Sequence, residues 1–367
     1  MSEPANVVLM SQSLSAGGTE RQLTEIARTL DRARFQPVVV CLEDGIRGDE
    51  LRAAQVPVLV LPVRSFQSLE AVRQAWRLRR YLRQNKVQIA HAFDYPMACY
   101  GVPIAKWARV PVVLSSQRAD RALNPALFQR LQRITDHLVD GVVVNCEAMR
   151  KHLREDEGVP ERLIELCYNG VDTARFAPGF RKLEAGAALV IGNVGQLRPE
   201  KGQDVLLRAF AHLGNAADLR LLLVGGGEMH AKLKAAAREL GIADRLRMQP
   251  PVSAVTPWLR KIDIFVQPSL SEALSNSLME AMACGCAVVA SDAGGNPELV
   301  RREETGLLFP AGNAEALAAQ LRRMIQDADL RTRLATAAAQ EMRARFSLQA
   351  SVRRMEELYV AFINRKK

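Results

Sequence analysis

Residues 264–285, IFVQPSLSEALSNSLMEAMACG, decide the fold class of this chain. The stretch begins with a short, continuous apolar run, 264–267, which is typical of a strand in a parallel sheet that is covered on both faces. A polar loop follows, and then an apolar segment of helical length that ends near Gly285. A strand, a loop and a helix in this order form half of a βαβ unit, so the segment predicts an α/β fold.

The same alternation extends along all 367 residues. Apolar runs predict strands at 7–10, 38–42, 58–61, 89–93, 112–115 and 142–145, and again at 189–194, 221–224, 264–267, 287–291 and 306–309. Amphipathic segments predict helices at 19–30, 69–85, 100–109, 124–138 and 147–155, and successive helices from residue 314 onward. Turn signals at 169–179 separate the two sets of strands. We therefore expect two doubly wound, Rossmann-like parallel-sheet domains, 1–175 and 176–346.

Composition excludes several classes of protein. Hydrophobic residues make up 48% and charged residues 25%, which is typical of a globular chain and not of a disordered or fibrous one. The six cysteines form no CxxC pair, so we expect buried thiols in a reducing cytoplasm and no metal site. No stretch approaches about 18 consecutive apolar residues, and no signal peptide is visible. These features favour a cytoplasmic protein that could still lie on a membrane surface.

Positive charge is concentrated in one part of the chain. The 50 Lys+Arg against 40 Asp+Glu give a net charge of +10. Between residues 60 and 135 there are thirteen Lys/Arg and three Asp/Glu, and the difference, 13 − 3 = 10, equals the excess of the whole chain. On the predicted helix 69–85, Arg73, Arg77 and Arg80 share one face. This pattern favours a first domain that docks on anionic lipid headgroups.

The alternative to lipid binding is that the basic face of the same helix is only exposed to solvent, while its apolar side packs on the protein core. Its apolar surface is expected to be carried largely by Leu69, Val72, Trp76 and Leu82.

Loops that follow strands are where we expect chemistry, because ligands bind at the carboxyl ends of parallel strands. After the first strand comes SAGGTE, 15–20, whose glycines and helix start would let the backbone approach a phosphate or a sugar. A simple tight turn explains this stretch equally well.

Two loops of the second half carry a similar signal. Arg198 and Lys201 follow a predicted strand, where two cations suit a diphosphate, and a solvated surface loop is the alternative. The run Gly225-Gly226-Gly227 also follows a strand. Successive glycines are entropically unfavourable unless a loop needs them, so the run favours close backbone approach to a ligand.

The segment 264–285 adds two acids and a helix start. Ser277 and Glu280 fit a capping box, which predicts Ser277 as the N-cap of the helix. The backbone N–H groups after Asn276 would then form an anion site. Glu272 would meet hydroxyls or a developing cation, since a carboxylate repels phosphate. Together these residues favour a nucleotide sugar as ligand, with an ordinary surface loop as the alternative for Glu272.

The sequence resembles the family-four retaining glycosyltransferases, which are relatives of sucrose synthase and glycogen synthase. Glu272 and Glu280 match the E-x7-E motif of that family. Further matches, in the expected order, are GGTER 17–21, NGVD 169–172, EKG 200–202, GGGE 225–228, Asp263 and GGNPE 294–298. The ordered set covers most of the chain.

The resemblance implies a GT-B architecture, in which two Rossmann-like domains face each other across a cleft. The acceptor would lie mainly on domain 1–175 and the nucleotide-sugar donor on domain 176–346. A last helix, 347–367, would pack back on the first domain.

The resemblance also implies roles for individual residues, with no metal and no cofactor. Lys201 would bind the donor diphosphate, Glu280 the ribose hydroxyls and Glu272 the transferred sugar, and Lys201 and Glu272 are the catalytic candidates. The other expected donor contacts are Gly18, Arg198, Gly226, Asn276 and Ser277. The expected acceptor contacts are Gln117, Arg118 and His91.

Two departures from the family pattern bear on the substrate. Gln196 stands where many members have Arg, so one cation for the diphosphate is missing. Gln117-Arg118 stands where many members have His-Gly, so a histidine that would contact the sugar is absent.

The implied reaction is retaining transfer of a sugar from a nucleotide-diphosphate sugar, with UDP favoured, to a glycan or lipid-linked acceptor. The setting would be synthesis of bacterial surface polysaccharide, such as lipopolysaccharide, or of glycolipid, on the inner face of the cell membrane. One alternative is a sugar-nucleotide 2-epimerase, which needs no acceptor. A nucleic-acid-binding protein is disfavoured by an aromatic content of 5% and by the lack of a recognition motif.

Overall fold

The computed structural model of the chain describes residues 3–179, 188–214, 218–252 and 254–366. The chain divides into two compact units, Met1–Gly170 with Leu348–Lys367, and Val171–Ser347. The division between the units thus lies at 170/171, against 175/176 in the sequence-based prediction. Lys367, the last residue of the predicted terminal helix, lies outside the described residues.

The first unit is built on one parallel sheet of seven strands in the order β3-β2-β1-β4-β5-β6-β7. The strands are β1 Ala5–Ser13, β2 Phe35–Glu43, β3 Val58–Val60, β4 Ile89–Ala92, β5 Val112–Gln117, β6 Gly141–Val144 and β7 Ile164–Leu166. The helices are α1 Gly18–Thr29, α2 Ile46–Ala53, α3 Leu69–Gln84, α4 Tyr95–Trp107, α5 Ala126–Asp136, α6 Glu147–Glu155 and the C-terminal α14 Leu348–Asn364.

The C-terminal helix α14 belongs to the core of the first unit. Its buried residues Met355, Tyr359 and Phe362 pack with the apolar side chains of the central strands. The ring of Phe362 occupies the place where a Cβ on Gly141 would project, so glycine at the start of β6 is what admits it. Burial of these side chains is the main force that holds the last segment on this sheet.

The second unit has a parallel sheet of six strands in the order β10-β9-β8-β11-β12-β13. The strands are β8 Leu189–Val194, β9 Leu219–Val224, β10 Leu246–Gln249, β11 Ile264–Gln267, β12 Ala287–Ser291 and β13 Leu307–Phe309. The helices are α7 Gln203–Ala211, α8 His230–Glu239, α9 Thr256–Leu259, α10 Asn276–Ala283, α11 Asn296–Leu299, α12 Ala314–Gln326 and α13 Ala328–Arg345.

The α/β class and both parallel sheets confirm the sequence-based prediction of the fold. Two strands were missed, β7 and β10, and both lie at the edge of a sheet. An edge strand has one partner and one side open to solvent, so it needs no continuous apolar run to be stable. Among the described residues, no helix is both long and apolar enough to cross a bilayer.

Helix α3 corrects the expectation about its apolar surface. Leu69 is 89% exposed, and Val72 and Trp76 are also exposed. The buried face consists instead of Ala71, Gln74, Leu78 and Leu82. Helical spacing from Leu78 and Leu82 selects this face, which leaves three large apolar side chains toward solvent.

Candidate functional site

Lys201 and Glu272 form the centre of the candidate site in the second unit. The Lys201 Nζ donates to Glu272 Oε2 at 2.8 Å, although 71 residues separate the two in sequence. Lys201 ends a 3₁₀ turn that follows β8, and Glu272 lies in the loop that follows β11. Because β8 and β11 are neighbours in the sheet, their carboxyl ends bring the two side chains together.

Glu272 is held through only one of its carboxylate oxygens. Its Oε2 accepts hydrogen bonds from Gln267 Nε2 at 3.2 Å and from Ser269 Oγ at 3.1 Å, in addition to the one from Lys201. Within the described part of the chain, no hydrogen bond of Glu272 uses Oε1. The arrangement fixes the carboxylate and leaves an acceptor oxygen for a hydroxyl of a ligand.

Two glycines allow the loops around Glu272 to pack backbone against backbone. Gly202 has φ of 63° and Gly294 has φ of 52°, both in the left-handed region. A Cβ at Gly202 would meet the carbonyl oxygen of Pro268, and one at Gly294 would meet the carbonyl oxygen of Glu272. The position of Glu272 therefore depends on the absence of a side chain at Gly294.

The glycine run after β9 has a packing role that the sequence did not reveal. Gly225 and Gly227 have φ near 150° (150° and 149°), and a Cβ at either would meet a carbonyl oxygen of the loop after β8. Between them, the Gly226 carbonyl oxygen accepts a hydrogen bond from Leu197 N at 2.8 Å. The run thus joins the loops after β8 and β9, and the donor contact of Gly226 stays a prediction.

The start of α10 differs from the predicted capping box. The N-cap is Ser275, whose Oγ accepts from Leu278 N at 3.3 Å, so the expectation of Ser277 as the cap is wrong. The helix starts at Asn276, and the Ser277 Oγ instead donates to Gln267 Oε1 at 3.2 Å. Glu280 lies on the same helix with a buried side chain, beyond the reach of a capping box.

Gln267 is a member of the site that sequence reasoning missed. It ends the buried strand β11, and its amide links Ser277 on one side to Ser269 and Glu272 on the other. The signal available in the sequence was a polar residue directly after three apolar ones. Its role is to orient the hydroxyls and the carboxylate.

Arg198 and Gly18 are two further residues expected to contact the diphosphate, and Arg198 is not brought into this cluster. The Arg198 side chain is exposed, and its closest carboxylate contact is with Glu200 at 3.9 Å. Gly18 is the first residue of α1 in the first unit. Their expected contacts with a diphosphate remain predictions.

The first unit was expected to carry acceptor contacts at the ends of β4 and β5. His91 is fully buried, and its ring nitrogens lie 3.0 Å from the Tyr359 hydroxyl and 2.9 Å from Ser116 Oγ. Burial, with the charge of Arg118, holds the pKa of His91 well below its usual value. Gln117 is also buried, and its Oε1 accepts from Arg121 and Gln132. The His91 and Gln117 side chains are therefore hydrogen-bonded within the first unit, and their contacts with an acceptor stay predictions.

Arg118 differs from these two residues because its charge is not matched. Its Nη1 donates to Asn169 Oδ1 at 2.7 Å, and its guanidinium lies 4.9 Å from the centre of the Phe93 ring. Burial lowers the pKa of Arg118 to about 10. No carboxylate pairs with it among the described residues, so it is a cation at the carboxyl end of β5 that an anion could neutralise.

Asp94 is a second residue that sequence reasoning missed. It follows β4 directly after Phe93, caps α4 by accepting from Met97 N at 3.0 Å, and accepts from Ser11 Oγ at 2.7 Å. Burial raises the pKa of Asp94 to about 6. The signal was a carboxylate placed just after a strand, as for Glu272.

Metal-binding chemistry has no evident place in the described residues. Across residues 3–179, 188–214, 218–252 and 254–366, no group of three His, Cys, Asp or Glu side chains lies close enough to hold an ion.

The two parallel-sheet α/β units, of seven and six strands, match solved structures of the GT-B class of glycosyltransferase folds. HepE of Anabaena, solved in complex with UDP and glucose, matches with a TM-score of 0.86 over 97% of this chain and 100% of that chain, at 21% identity. The likeness shows that the fold is shared.

Two glycosyltransferase families match successive parts of the chain. The family described as "Glycosyl transferases group 1" matches residues 180–341, and "Glycosyltransferase Family 4" matches residues 16–175. The chain belongs to the family-four glycosyltransferases, as the resemblance indicated.

Curated relatives share part of the chain. A D-inositol 3-phosphate glycosyltransferase of Thermobispora bispora is 30% identical over 289 residues, which cover 72% of this chain and 67% of the relative. One of Streptomyces bingchenggensis is 33% identical over 220 residues, which cover 54% of this chain. The match spans about half (48%) of the length of that second relative.

Proposed function

We propose that the chain is a retaining glycosyltransferase that moves a sugar from a nucleoside-diphosphate sugar, with UDP as the nucleotide. The observation that carries this proposal is the Lys201–Glu272 pair at the carboxyl edge of the second sheet, with one carboxylate oxygen left for a ligand. The similarity to a fold solved with UDP and glucose supports the choice of nucleotide.

In the proposed reaction, the bond between the sugar and the diphosphate breaks while charge grows on the leaving group. The Lys201 ammonium and the N-terminal N–H groups of α10 would stabilise that charge, without a metal ion. Glu272 Oε1 would accept a hydrogen bond from a hydroxyl of the transferred sugar, and Glu280 would bind the ribose. A hydroxyl oxygen of the acceptor would form the new bond to the anomeric carbon on the same face that the diphosphate leaves, which retains the configuration. The hydroxyl proton would pass to the departing phosphate oxygen.

On the acceptor side, we propose a glycan or lipid-linked acceptor that carries a phosphate. The support is Arg118, a half-buried cation without a carboxylate partner in the described residues. The relatives named for D-inositol 3-phosphate act, by their names, on a phosphorylated acceptor. Synthesis of surface polysaccharide or glycolipid in the cytoplasm would suit this chemistry, and cysteines that form no disulfide among the described residues fit a reducing compartment.

The test is a thermal-shift and hydrolysis screen with UDP-, GDP- and ADP-sugars. We expect UDP and a UDP-sugar to raise the Tm and the other nucleotides to raise it less, because ligand binding to the folded state stabilises it. Arg118→Ala should keep the shift with UDP, since Arg118 lies in the unit proposed for the acceptor. The absence of any shift with every nucleotide would overturn the proposal, and formation of a C2 epimer of the donor without acceptor would support the epimerase instead.

A further inference from the structure

The first unit exposes an unusual number of large apolar side chains in one segment of the chain. Of the ten such side chains in the described residues, eight lie between residues 69 and 138, and only Ile46 and Leu270 lie elsewhere. We call the eight the apolar face: Leu69, Val72, Trp76, Trp107, Leu123, Leu127, Ile134 and Leu138. Single exposed apolar residues are common on proteins, but a group of eight marks an interaction surface.

The helices that carry the apolar face are neighbours in the structure. Helix α4 packs against both α3 and α5. The rings of Trp76 on α3 and Trp107 on α4 meet edge to face, with centres 4.5 Å apart. The Phe66 ring, just before α3, lies 5.2 Å from that of Tyr100 on α4 and 6.2 Å from that of Phe128 on α5. The apolar face is therefore carried by adjacent helices, and Trp76 and Trp107 meet directly across the boundary between α3 and α4.

Cations border the same helices, and most of them are unmatched. The Arg79 guanidinium stacks 4.3 Å from the centre of the Trp107 ring. Exposed Arg77, Arg80 and Arg130 form no ion pair in the described part of the chain, whereas Arg73 pairs with Glu70 at 3.0 Å. One of the thirteen cations counted in the sequence does not reach this surface, because Arg121 is buried.

We propose that the apolar face and its arginines bind the surface of a bilayer that contains anionic lipid. Large aliphatic side chains and tryptophans enter the boundary between headgroups and acyl chains, while arginines stay at the level of the phosphates. Unmatched arginines select an anionic surface by charge complementarity. A second copy of the chain would bring the same positive charge to the contact, and nucleic acid gives no role to eight exposed apolar side chains.

Membrane binding is a property additional to the transfer reaction, and it is consistent with the place that we propose for the acceptor. Helices α3, α4 and α5 each begin near the carboxyl edge of the sheet, because each follows one of its strands. Arg118 and Asp94 lie at that same edge. A bilayer bound to these helices would bring lipid headgroups close to the edge where we propose that a phosphorylated acceptor binds.

The experiment measures sedimentation of the full chain with phosphatidylcholine vesicles, with and without about 30% phosphatidylglycerol. We expect binding at least tenfold tighter to the anionic vesicles, reduced by salt. Arg77→Glu with Arg80→Glu should weaken it about 25-fold or more, given roughly fivefold for each cation near an anionic leaflet. Lys234→Glu with Arg238→Glu, both exposed on α8 of the second unit, is the matched charge control and should leave binding unchanged.

A second set of variants tests the apolar part. Trp76→Ser and Leu127→Ser should each weaken vesicle binding severalfold, whereas Ile46→Ser, outside the apolar face, should not. The fluorescence of the three tryptophans should shift to the blue with anionic vesicles, and Trp76→Phe should diminish that shift. Retention of the Tm increase with UDP in every variant would show that the fold and the donor site are intact.

Three results would overturn the proposal. These are equal binding to neutral and anionic vesicles, no binding to either, and a dimer in sedimentation velocity that Trp76→Ser dissociates. The last result would assign the apolar face to a second copy. If neither kind of vesicle is bound, tight binding of nucleic acid would assign the arginines to that partner instead. Vesicle binding and the Tm increase with UDP are separate measurements. A failure of membrane binding therefore leaves the proposed transfer reaction intact, and a failure of UDP binding leaves the membrane proposal intact.

Discussion

Each unit of the chain contains a cation–carboxylate pair, and the two pairs differ in how far they are enclosed. In the first unit, Arg121 Nη1 lies 2.7 Å from Asp136 Oδ2, with the Arg121 side chain 1% exposed. In the second, Lys201 pairs with Glu272 at 2.8 Å while the lysine side chain is 27% exposed. The side chains of a fully enclosed pair have no room to bind a ligand. A pair at an open edge of the sheet can exchange part of its hydrogen bonds for contacts with a ligand.

The surroundings of the two pairs explain the difference. Burial raises the pKa of Asp136, and contact with Arg121 opposes that rise. Glu157 also lies 3.6 Å from the Arg121 Nη1, and Gln117 accepts from the Arg121 Nε. Removal of the guanidinium would therefore leave Asp136 without its main counter-charge in a poorly solvated place, whereas Glu157 would keep its contact with Arg133. At the second pair, solvent and the spare oxygen of Glu272 remain available.

The largest expected effect is on stability, from Arg121→Ala. Loss of one partner of a buried pair typically lowers the free energy of unfolding by about 3–5 kcal/mol, and we expect that range here. Urea unfolding of the variant and of the wild type would measure it. Arg133→Ala is the control, because Arg133 also contacts Glu157 but is exposed, so its effect should be much smaller. Equal effects of the two variants would refute the distinction based on burial.

The complementary variant, Lys201→Ala, should affect activity far more than stability. We expect kcat/KM for the UDP-sugar to fall by roughly 10²–10³, the scale of losing one group that stabilises charge in the transition state. Steady-state kinetics and a melting curve on the same sample measure both properties. The control is Arg198→Ala, with an exposed side chain outside the cluster, which should lower kcat/KM less than tenfold. Near-normal turnover of Lys201→Ala would remove the pair from the mechanism.

A pair of glycine variants tests how the backbone supports the open pair. Gly294 and Gly241 both have positive φ, 52° and 65°. A Cβ at Gly294 would strike the carbonyl oxygen of Glu272, whereas none of the described atoms lies within 4 Å of one at Gly241. Gly241→Ala should lower stability by about 1–2 kcal/mol through backbone strain alone. Gly294→Ala should lower it further and also reduce kcat/KM, and equal kinetics for both would contradict the role of Gly294.

The last expected effect is a change in pH dependence from Asp94→Asn. The folded-state pKa of Asp94, about 6, lies above the usual value of 3.8, so the folded protein holds the proton more tightly than the unfolded chain. The stability from this group is therefore present below pH 3.8 and is lost as the pH rises through 6. Asparagine does not titrate. The unfolding free energy of the wild type minus that of the variant should therefore decrease from pH 4 to pH 7. A constant difference across that range would contradict the raised pKa.

Within the candidate site, sequence reasoning identified single residues but not their partners. Lys201, Glu272 and Ser277 were found from their positions after strands or at a helix start. The cap was misassigned because Ser275 and Ser277 are both good N-cap residues, and spacing to Glu280 favoured the wrong one. His91 and Gln117 also follow the rule for strand ends, but the packing of α14 and α5 encloses them.

The sequence by itself determined the α/β class, two parallel-sheet units, the family and the region of excess positive charge. These properties follow from local patterns: continuous apolar runs, glycine and proline turns, motif spacing and charge counts. Only the tertiary structure decided that Lys201 pairs with Glu272, that Arg121 is enclosed, and that Leu69 and Trp76 face solvent. Strand order brings distant loops together and the packing of whole helices selects which side chains are buried, so neither property is contained in a local stretch of sequence.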